Sequence, residues 1–225
     1  MKYISPALIF QGIYLLLTFT VLPVSMEIQM LLRYNGAAKS TIHSVRFFMT
    51  HIHHYASPLG GILLSADALG LTGLWFDGQK YFAATLPDEA IEQETPALST
   101  ARRWLDCYFS GRRPDFTPPL HLIGSPFRQA VWQLLLEIPY GQTTTYGALA
   151  QRLAAKEGRE HISAQAVGGA VGHNGVSIIV PCHRVIGANG SLTGYAGGLD
   201  KKIRLLELEG AAVSQFHIPP RGISL

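Results

Sequence analysis

Cys182, His183 and Arg184 stand side by side behind Pro181, at the end of the apolar run Val176–Val180. A thiol beside an imidazole and a guanidinium has the make-up of an activated nucleophile. Such neighbours lower a cysteine pKa from about 8.5 towards neutrality, and the thiolate is the attacking form. The same residues suit a buried structural cysteine, because free cysteine packs as a small hydrophobe. The run itself is rich in β-branched residues and predicts a buried strand, ended by Pro181, which has no N–H for a ladder. Successive side chains of an extended segment face opposite sides. Cys182 and His183 would then not meet directly, and a water link fits better. Glu209 is a further candidate. It follows Leu205 and Leu206 in a helix begun near Asp200 and ended by Gly210. A carboxylate in a last turn opposes the helix dipole, so it asks for a partner; a solvated helix end is the alternative.

Several elements must position these groups. Ser125-Pro126 starts a helix whose apolar face is Phe127, Val131, Leu134, Leu135 and Ile138. Thr144 is placed to cap a second helix, with Tyr146, Leu149, Ala150 and Leu153 at helical spacing. After the polar stretch 156–160, Ser163 caps a short helix, Ala164–Val171, whose small residues allow another surface to approach closely. Two such helices fit a helix-turn-helix, or two ordinary packed helices. Earlier in the chain the pattern is β: strands over Ile62–Ala66 and Leu71–Phe76, with turns at Pro58–Gly61, Ala68–Gly70 and Asp77-Gly78. Thr95 and Pro96 then open a helix with Leu98, Ala101, Leu105 and Tyr108 on one face, and Gly111 closes it. Arg112–Pro119 is a loop or linker. Hairpins followed by a helix predict a small α+β domain.

Of the 225 residues 48% are hydrophobic and 15% charged, which excludes disorder as the default and allows a packed core. The two cysteines, Cys107 and Cys182, exclude a disulfide framework or a cysteine-rich metal site. Lys2, Arg33, Lys39 and Arg46 against Glu27 account for the whole net charge of +3, so the rest of the chain is neutral and charge alone does not announce nucleic acid. His43, His51, His53 and His54 cluster in sequence, but no carboxylate or cysteine stands at ligand spacing, so ordinary surface histidines are preferred to a metal site. Ile4–Val24 is almost continuously apolar behind Lys2, with the length of a marginal membrane span. A misassigned start upstream of Met49 is the preferred explanation and a membrane anchor the second.

Pro181-Cys182-His183-Arg184-Val185 resembles the signature pentapeptide of the O6-alkylguanine-DNA alkyltransferases. Ala166–Ala170, Asn174, Gly194–Leu199 and Leu205–Gly210 resemble the same family in order and spacing. The likeness covers roughly 49–210 and is strongest from Ser125. It implies an α+β fold: an N-terminal RNase H-like α+β domain without nuclease function, then a C-terminal helical domain with a winged-helix-like helix-turn-helix and an active-site strand. It implies stoichiometric, single-turnover transfer of an alkyl group from O6-alkylguanine, or O4-alkylthymine, in double-stranded DNA to Cys182 after the nucleotide is flipped out of the stack. By the same resemblance His183 takes the thiol proton through water, Glu209 orients His183, Asn174 braces the turn before the active-site segment, and Tyr146 helps rotate the phosphate and protonates the leaving base. Ala164, Gln165, Gly168 and Arg184 are the expected DNA contacts. Gln165 stands where the family has an intercalating arginine, so the wedge lacks its charge. Val185, Tyr195, Ala196 and Gly197 are the expected pocket wall. No metal or organic cofactor is implied.

The expected domains are a 1–48 extension outside the fold, an RNase H-like domain over 49–119, and a DNA-binding and catalytic domain over 120–225. The protein is expected to be cytoplasmic and monomeric, without a stable protein partner. The rival functions are a non-repairing module that binds alkylated DNA, against which Cys182 itself argues, and a cysteine hydrolase, which would turn over repeatedly and need no DNA.

Overall fold

The computed structural model describes residues 49–218, so the apolar run 4–24 and His43 lie outside the described residues. β1 (His51–Ser57) and β2 (Gly60–Ala66) form an antiparallel hairpin in which Ser57 pairs with Gly60 around Pro58 and Leu59. Gly60 has φ +110°, which side chains rarely adopt, and the Ser57 hydroxyl accepts from Leu59 N–H and donates to Gly60 C=O. β3 (Leu71–Phe76) pairs antiparallel with β2, and the two-residue β4 (Ile91–Glu92) adds parallel to β1, giving the order β3-β2-β1-β4. The sequence pattern does not announce β1, because its histidines break the apolar alternation; His51, His53 and His54 are strand residues. Among the described residues no group of three His, Cys, Asp or Glu converges.

α1 (Pro96–Phe109) packs on this sheet. Its N-cap is Thr95, whose hydroxyl accepts from Leu98 N–H, and the predicted stripe Leu98, Ala101, Leu105 and Tyr108 is buried together with Trp104. Such a cap contributes about 1 kcal/mol, so the buried face holds the helix in place more than the cap does.

The second half begins with α2 (Pro126–Leu136), capped by Ser125 as expected. α3 (Tyr146–Glu157) is capped by Thr145 instead of Thr144. The shift has a physical reason: Thr144 and Thr145 form β5, which pairs parallel with β6 (Val185–Ile186), and the chain turns helical only after that pairing. α4 (Ala164–Gly172) is capped by Ser163 and packs against both α2 and α3, with Trp132 Nε1 donating to Ala170 C=O at 2.9 Å. α5 (Leu199–Leu208) closes the fold. One hydrophobic cluster runs through both halves, from Ile62, Leu74 and Tyr108 to Val131, Ile178, Cys182 and Leu205.

The predicted strand over Val176–Val180, and with it the active-site strand, is not formed. Only Val176 makes a bridge, to Leu74, and the chain then turns sharply. Ile179 N–H bonds Ser177 C=O around Ile178, which has φ +66°, and Cys182 N–H bonds Val180 C=O around Pro181. Burial, not strand geometry, explains the apolar β-branched composition. A left-handed β-branched residue costs on the order of 1–3 kcal/mol and persists only where its surroundings over-determine it. Those surroundings are Leu74, which donates to Gly175 C=O and accepts from Ser177 N–H, and Asn174.

Candidate active site

Cys182 opens a single helical turn, Cys182–Arg184, that leads into β6. The extended geometry expected for Cys182 and His183 is therefore replaced by a tight turn. Cys182 is 4% exposed. Asn174 organises its approach: Nδ2 donates to Val180 C=O at 2.8 Å, Val176 C=O at 3.2 Å and Cys182 Sγ at 3.1 Å, while Oδ1 accepts from Val176 N–H at 3.0 Å. The sulfur thus points at an amide donor, the geometry that favours thiolate once it forms. Burial nonetheless pushes the Cys182 thiol above its ordinary value, and the Asn174 hydrogen bond and the charge of Lys202 offset only part of that. The expected lowering towards neutrality is corrected on this point: the thiol rests protonated, and it needs a base.

His183 is placed to be that base. His183 is fully buried, and its Nε2 lies 2.7 Å from Glu209 Oε1. Burial lowers the His183 pKa, against the pull of Glu209, so the neutral ring is favoured near pH 7. With Nε2–H directed at the carboxylate, the other nitrogen is an acceptor, and Nδ1 has no protein hydrogen-bond partner. Glu209 caps α5 and is the hub. Oε1 also accepts from Tyr108 Oη at 2.8 Å and Arg184 Nη2 at 3.0 Å, and Oε2 from Arg184 Nε at 2.8 Å and Gly141 N–H at 3.1 Å. Burial would raise its pKa, but the His183 and Arg184 bonds and charges hold the carboxyl well below the usual range. The partner that the unfavourable helix-end position asked for is this set of donors.

Arg184 was expected on DNA, and the structure corrects this. Its guanidinium is buried, forked onto Glu209, with Nη1 on Ile138 C=O at 2.6 Å. A fork of five donors matched to a carboxylate is a stronger claim on arginine than solvent, and burial does not show in a sequence.

Tyr146 lies at the start of α3, with its hydroxyl 3.3 Å from both Thr193 C=O and Gly194 C=O, and burial first, then the proximity of Cys182, pushes its pKa up to about 12. Tyr195 stands edge-on to the His183 ring at 6.5 Å, and burial raises its pKa well above the ordinary value. A Cβ on Gly197 would come within 2.7 Å of the Tyr195 ring, so this loop needs glycine there. Ala196 C=O accepts from Lys80 N–H of the first half at 2.9 Å. Val185 is buried within β6. On α4, Ala164 and Gln165 are exposed, while Gly168 faces the Tyr146 ring, 3.7 Å from where its Cβ would sit. The structure thus brings Cys182, His183, Glu209, Asn174, Tyr146 and Tyr195 together and leaves Gln165 outward.

Two residues of the site were missed in the sequence. Lys202 on α5 is fully buried; Nζ donates to Val185 C=O at 2.6 Å, Thr193 C=O at 2.8 Å and Gly194 C=O at 3.4 Å, and burial lowers its pKa to about 8. Tyr108 was read only as a core residue of its helix. A lysine at a core position of an amphipathic helix was the available signal for the first; nothing local signals the second.

Comparison with known proteins decides what this arrangement belongs to. The ribonuclease-like domain of 6-O-methylguanine DNA methyltransferase matches residues 51–122, and the DNA binding domain of the same enzyme matches 126–211. The chain is 43% identical over 161 residues to the methylated-DNA–protein-cysteine methyltransferase of Mycobacterium leprae, covering 72% of this chain and 93% of that one. The chain belongs to the methylated-DNA–protein-cysteine methyltransferase family. The Methanosarcina acetivorans methyltransferase is 45% identical over 158 residues, covering 70% of this chain and 96% of that one. Mycobacterium tuberculosis OGT, solved in complex with DNA, superposes with a TM-score of 0.62 at 42% identity, covering 74% of this chain and 94% of that chain. The fold of this methyltransferase is therefore the expected one, a ribonuclease-like α+β half followed by a helical DNA-binding half.

Proposed function

We infer that Cys182 is the acceptor in direct DNA repair by alkyl transfer, the activity of the family to which this enzyme belongs. The substrate is double-stranded DNA carrying O6-alkylguanine. The observation that carries the assignment is the pair of buried contacts that hold the reacting groups, Asn174 Nδ2 on Cys182 Sγ and Glu209 Oε1 on His183 Nε2. A water between Sγ and Nδ1 would carry the thiol proton to His183, and Glu209 then stabilises the imidazolium. Thiolate sulfur bonds to the alkyl carbon, the bond from that carbon to guanine O6 breaks, and its electron pair leaves with the base. Tyr146 donates to the departing guanine; with a pKa of about 12 its hydroxyl stays protonated until charge develops on the base. The product is a thioether with no carbonyl for water to attack, so each molecule acts once. A hydrolase would need an acyl intermediate and an oxyanion site.

α4 is the reading helix, with Ala164, Gln165 and Gly168 nearest the DNA and Gln165 as the wedge that fills the space left by the flipped nucleotide. The family match runs from 51 to 211, which supports a working unit that begins near Met49; a monomer that acts without residues 1–48 is the expected form. Among the described residues no helix is long and apolar enough to cross a membrane; a cytoplasmic site of action follows from the substrate.

The test is to incubate the protein with duplex DNA carrying O6-methylguanine and weigh it intact. One added methyl mapped to Cys182, without a second turnover, is the expected result. Sustained turnover of a small ester with no DNA-dependent adduct would falsify the assignment. The same assay on a chain begun at Met49 should give the same yield and rate.

A further inference from the structure

We propose that Tyr108 is a positioning residue for alkyl transfer: its hydroxyl, delivered from the ribonuclease-like half, sets how Glu209 holds and polarises His183. The proposal rests on Cys182 being the acceptor and His183 its base.

Tyr108 lies on α1, 101 residues from Glu209, and is fully buried. Its ring stacks on Trp104 at 5.1 Å with an 11° interplanar angle and meets Phe109 and Tyr140 edge-on. The hydroxyl cannot swing away. It donates at 2.8 Å to Oε1, the same carboxylate oxygen that His183 Nε2 approaches at 2.7 Å and Arg184 Nη2 at 3.0 Å. A carboxylate has about four lone-pair sites on its two oxygens. Three donors on one oxygen therefore share its electron density, and each weakens what the others receive. Tyr108 is the donor that carries no charge and takes no part in the proton transfer. Its effect is to fix the oxygen and to moderate the basicity that Glu209 confers on His183.

Other groups facing this carboxylate are accounted for. Arg184 and Gly141 hold Oε2, and the Tyr140 hydroxyl is directed to Leu208 C=O. Lys202 from α5 acts on the sulfur and on His183, Tyr195 meets the His183 ring edge-on, and neither hydrogen-bonds Glu209. The hydroxyl of Tyr108 is the first half's direct hydrogen bond to the proton-handling chain.

The experiment is single-turnover methyl transfer from O6-methylguanine duplex at saturating protein between pH 5.5 and 8.5, with DNA affinity measured separately. Tyr108→Phe keeps the ring and removes the donor. Loss of one hydrogen bond to a charged group corresponds to about a tenfold slower transfer at pH 7. Oε1, released from one donor, should raise the basicity of His183, so the acid limb of the rate profile moves to higher pH. DNA affinity should stay within about twofold, since no phosphate contact changes. Replacement of Tyr108 by 3-fluorotyrosine, a stronger donor that keeps ring and hydroxyl, should move the limb to lower pH, and it covers the case in which the phenylalanine variant folds poorly. If both limbs coincide with that of the parent protein, whatever happens to the melting temperature, Tyr108 is packing alone and the proposal falls. A parent protein that gains no methyl on Cys182 would instead refute the acceptor assignment.

Discussion

Every group assigned to change a bond or carry a proton comes from residues 126–211, whereas residues 51–122 bring to the same site backbone amides, a glutamine and one hydroxyl. Leu74 grips 175–177 on both sides of Val176, Gln79 Oε1 accepts from Ser177 Oγ at 3.3 Å, Lys80 N–H holds Ala196, and Tyr108 bonds Glu209. The reacting half contains the buried β-branched residue in left-handed backbone, Ile178 at φ +66°, and the buried ionic cluster, Glu209 with Arg184 and His183, whereas the left-handed residues of the first half, Tyr81 and Ala83, lie in a turn. Strain of this kind survives only when something rigid opposes it. The sheet half is that opposition, a role that requires fixed backbone and no reactive side chain. The contrast teaches why a ribonuclease-like domain without reactive groups is retained beside a catalytic one.

The contrast is broken most completely at Cys182. Cys182→Ala should abolish methyl transfer and leave DNA binding intact, because sulfur and groove contacts are different residues; intact mass and a gel-shift titration read the two separately. Equal loss of both would make Cys182 structural. Glu209→Gln comes next. From the sequence it is expected to slow transfer without unfolding the protein, since it removes charge but not shape. The structure changes that expectation, because Arg184 is then left buried without its counter-charge, which costs about 3–5 kcal/mol. Denaturant unfolding should show it. The sign with pH follows from the depressed carboxyl: its stability share is full above the unfolded value of about 4.3 and is lost as pH falls towards the lower folded value. Parent and variant stabilities should therefore converge below about pH 4.

How far the sequence reached follows the range of the interactions. Thr95, Ser125 and Ser163 were legible as caps because a cap is decided within three residues. The stripe of α1 was legible for the same reason, and the motif around Cys182 carried the family. Val176–Val180 was misread, since an apolar run states burial and not backbone path. Arg184 was misplaced on DNA, and Tyr108 was missed as a site residue, because their partner is Glu209, 25 and 101 residues away. Lys202 was missed because its partners are the carbonyls of Val185, Thr193 and Gly194, on segments outside its helix.

Lys202 offers the next sharpening, as a group of the second half that scaffolds and does not react. Lys202→Met keeps length and removes the donor to Thr193 and Gly194, the carbonyls that Tyr146 also contacts. Transfer should slow severalfold as the pocket wall loosens. The folded pKa of about 8 lies below the unfolded value of about 10.4. Above pH 8 the unfolded chain holds the proton that the folded one releases, so stability gains from this group as pH rises to about 10.4, by about 3 kcal/mol at most. The parent-minus-variant difference in unfolding free energy should climb across that window. A flat difference would mean that Lys202 is not buried as described.

The smallest effect is expected at Gln165, the exposed residue of α4 that touches neither half of the buried site. Its amide can enter a base stack and hydrogen-bond there, but it releases no counterion from the phosphates. Gln165→Arg adds one cation to a helix whose own N-terminus is capped by Ser163 and carries no acidic residue in its first turn, so the new charge meets no competing partner on that turn. One added phosphate contact steepens the slope of log affinity against log salt by about 0.9 and tightens binding most at low salt. The transfer step itself should be unchanged once DNA is saturating, since nothing between Cys182 and Glu209 moves. Binding isotherms from 50 to 200 mM salt, paired with saturated single-turnover rates, separate these. Weaker binding by the arginine variant would mean that α4 does not present Gln165 to the duplex, and the reading helix would have to be sought elsewhere on the second half.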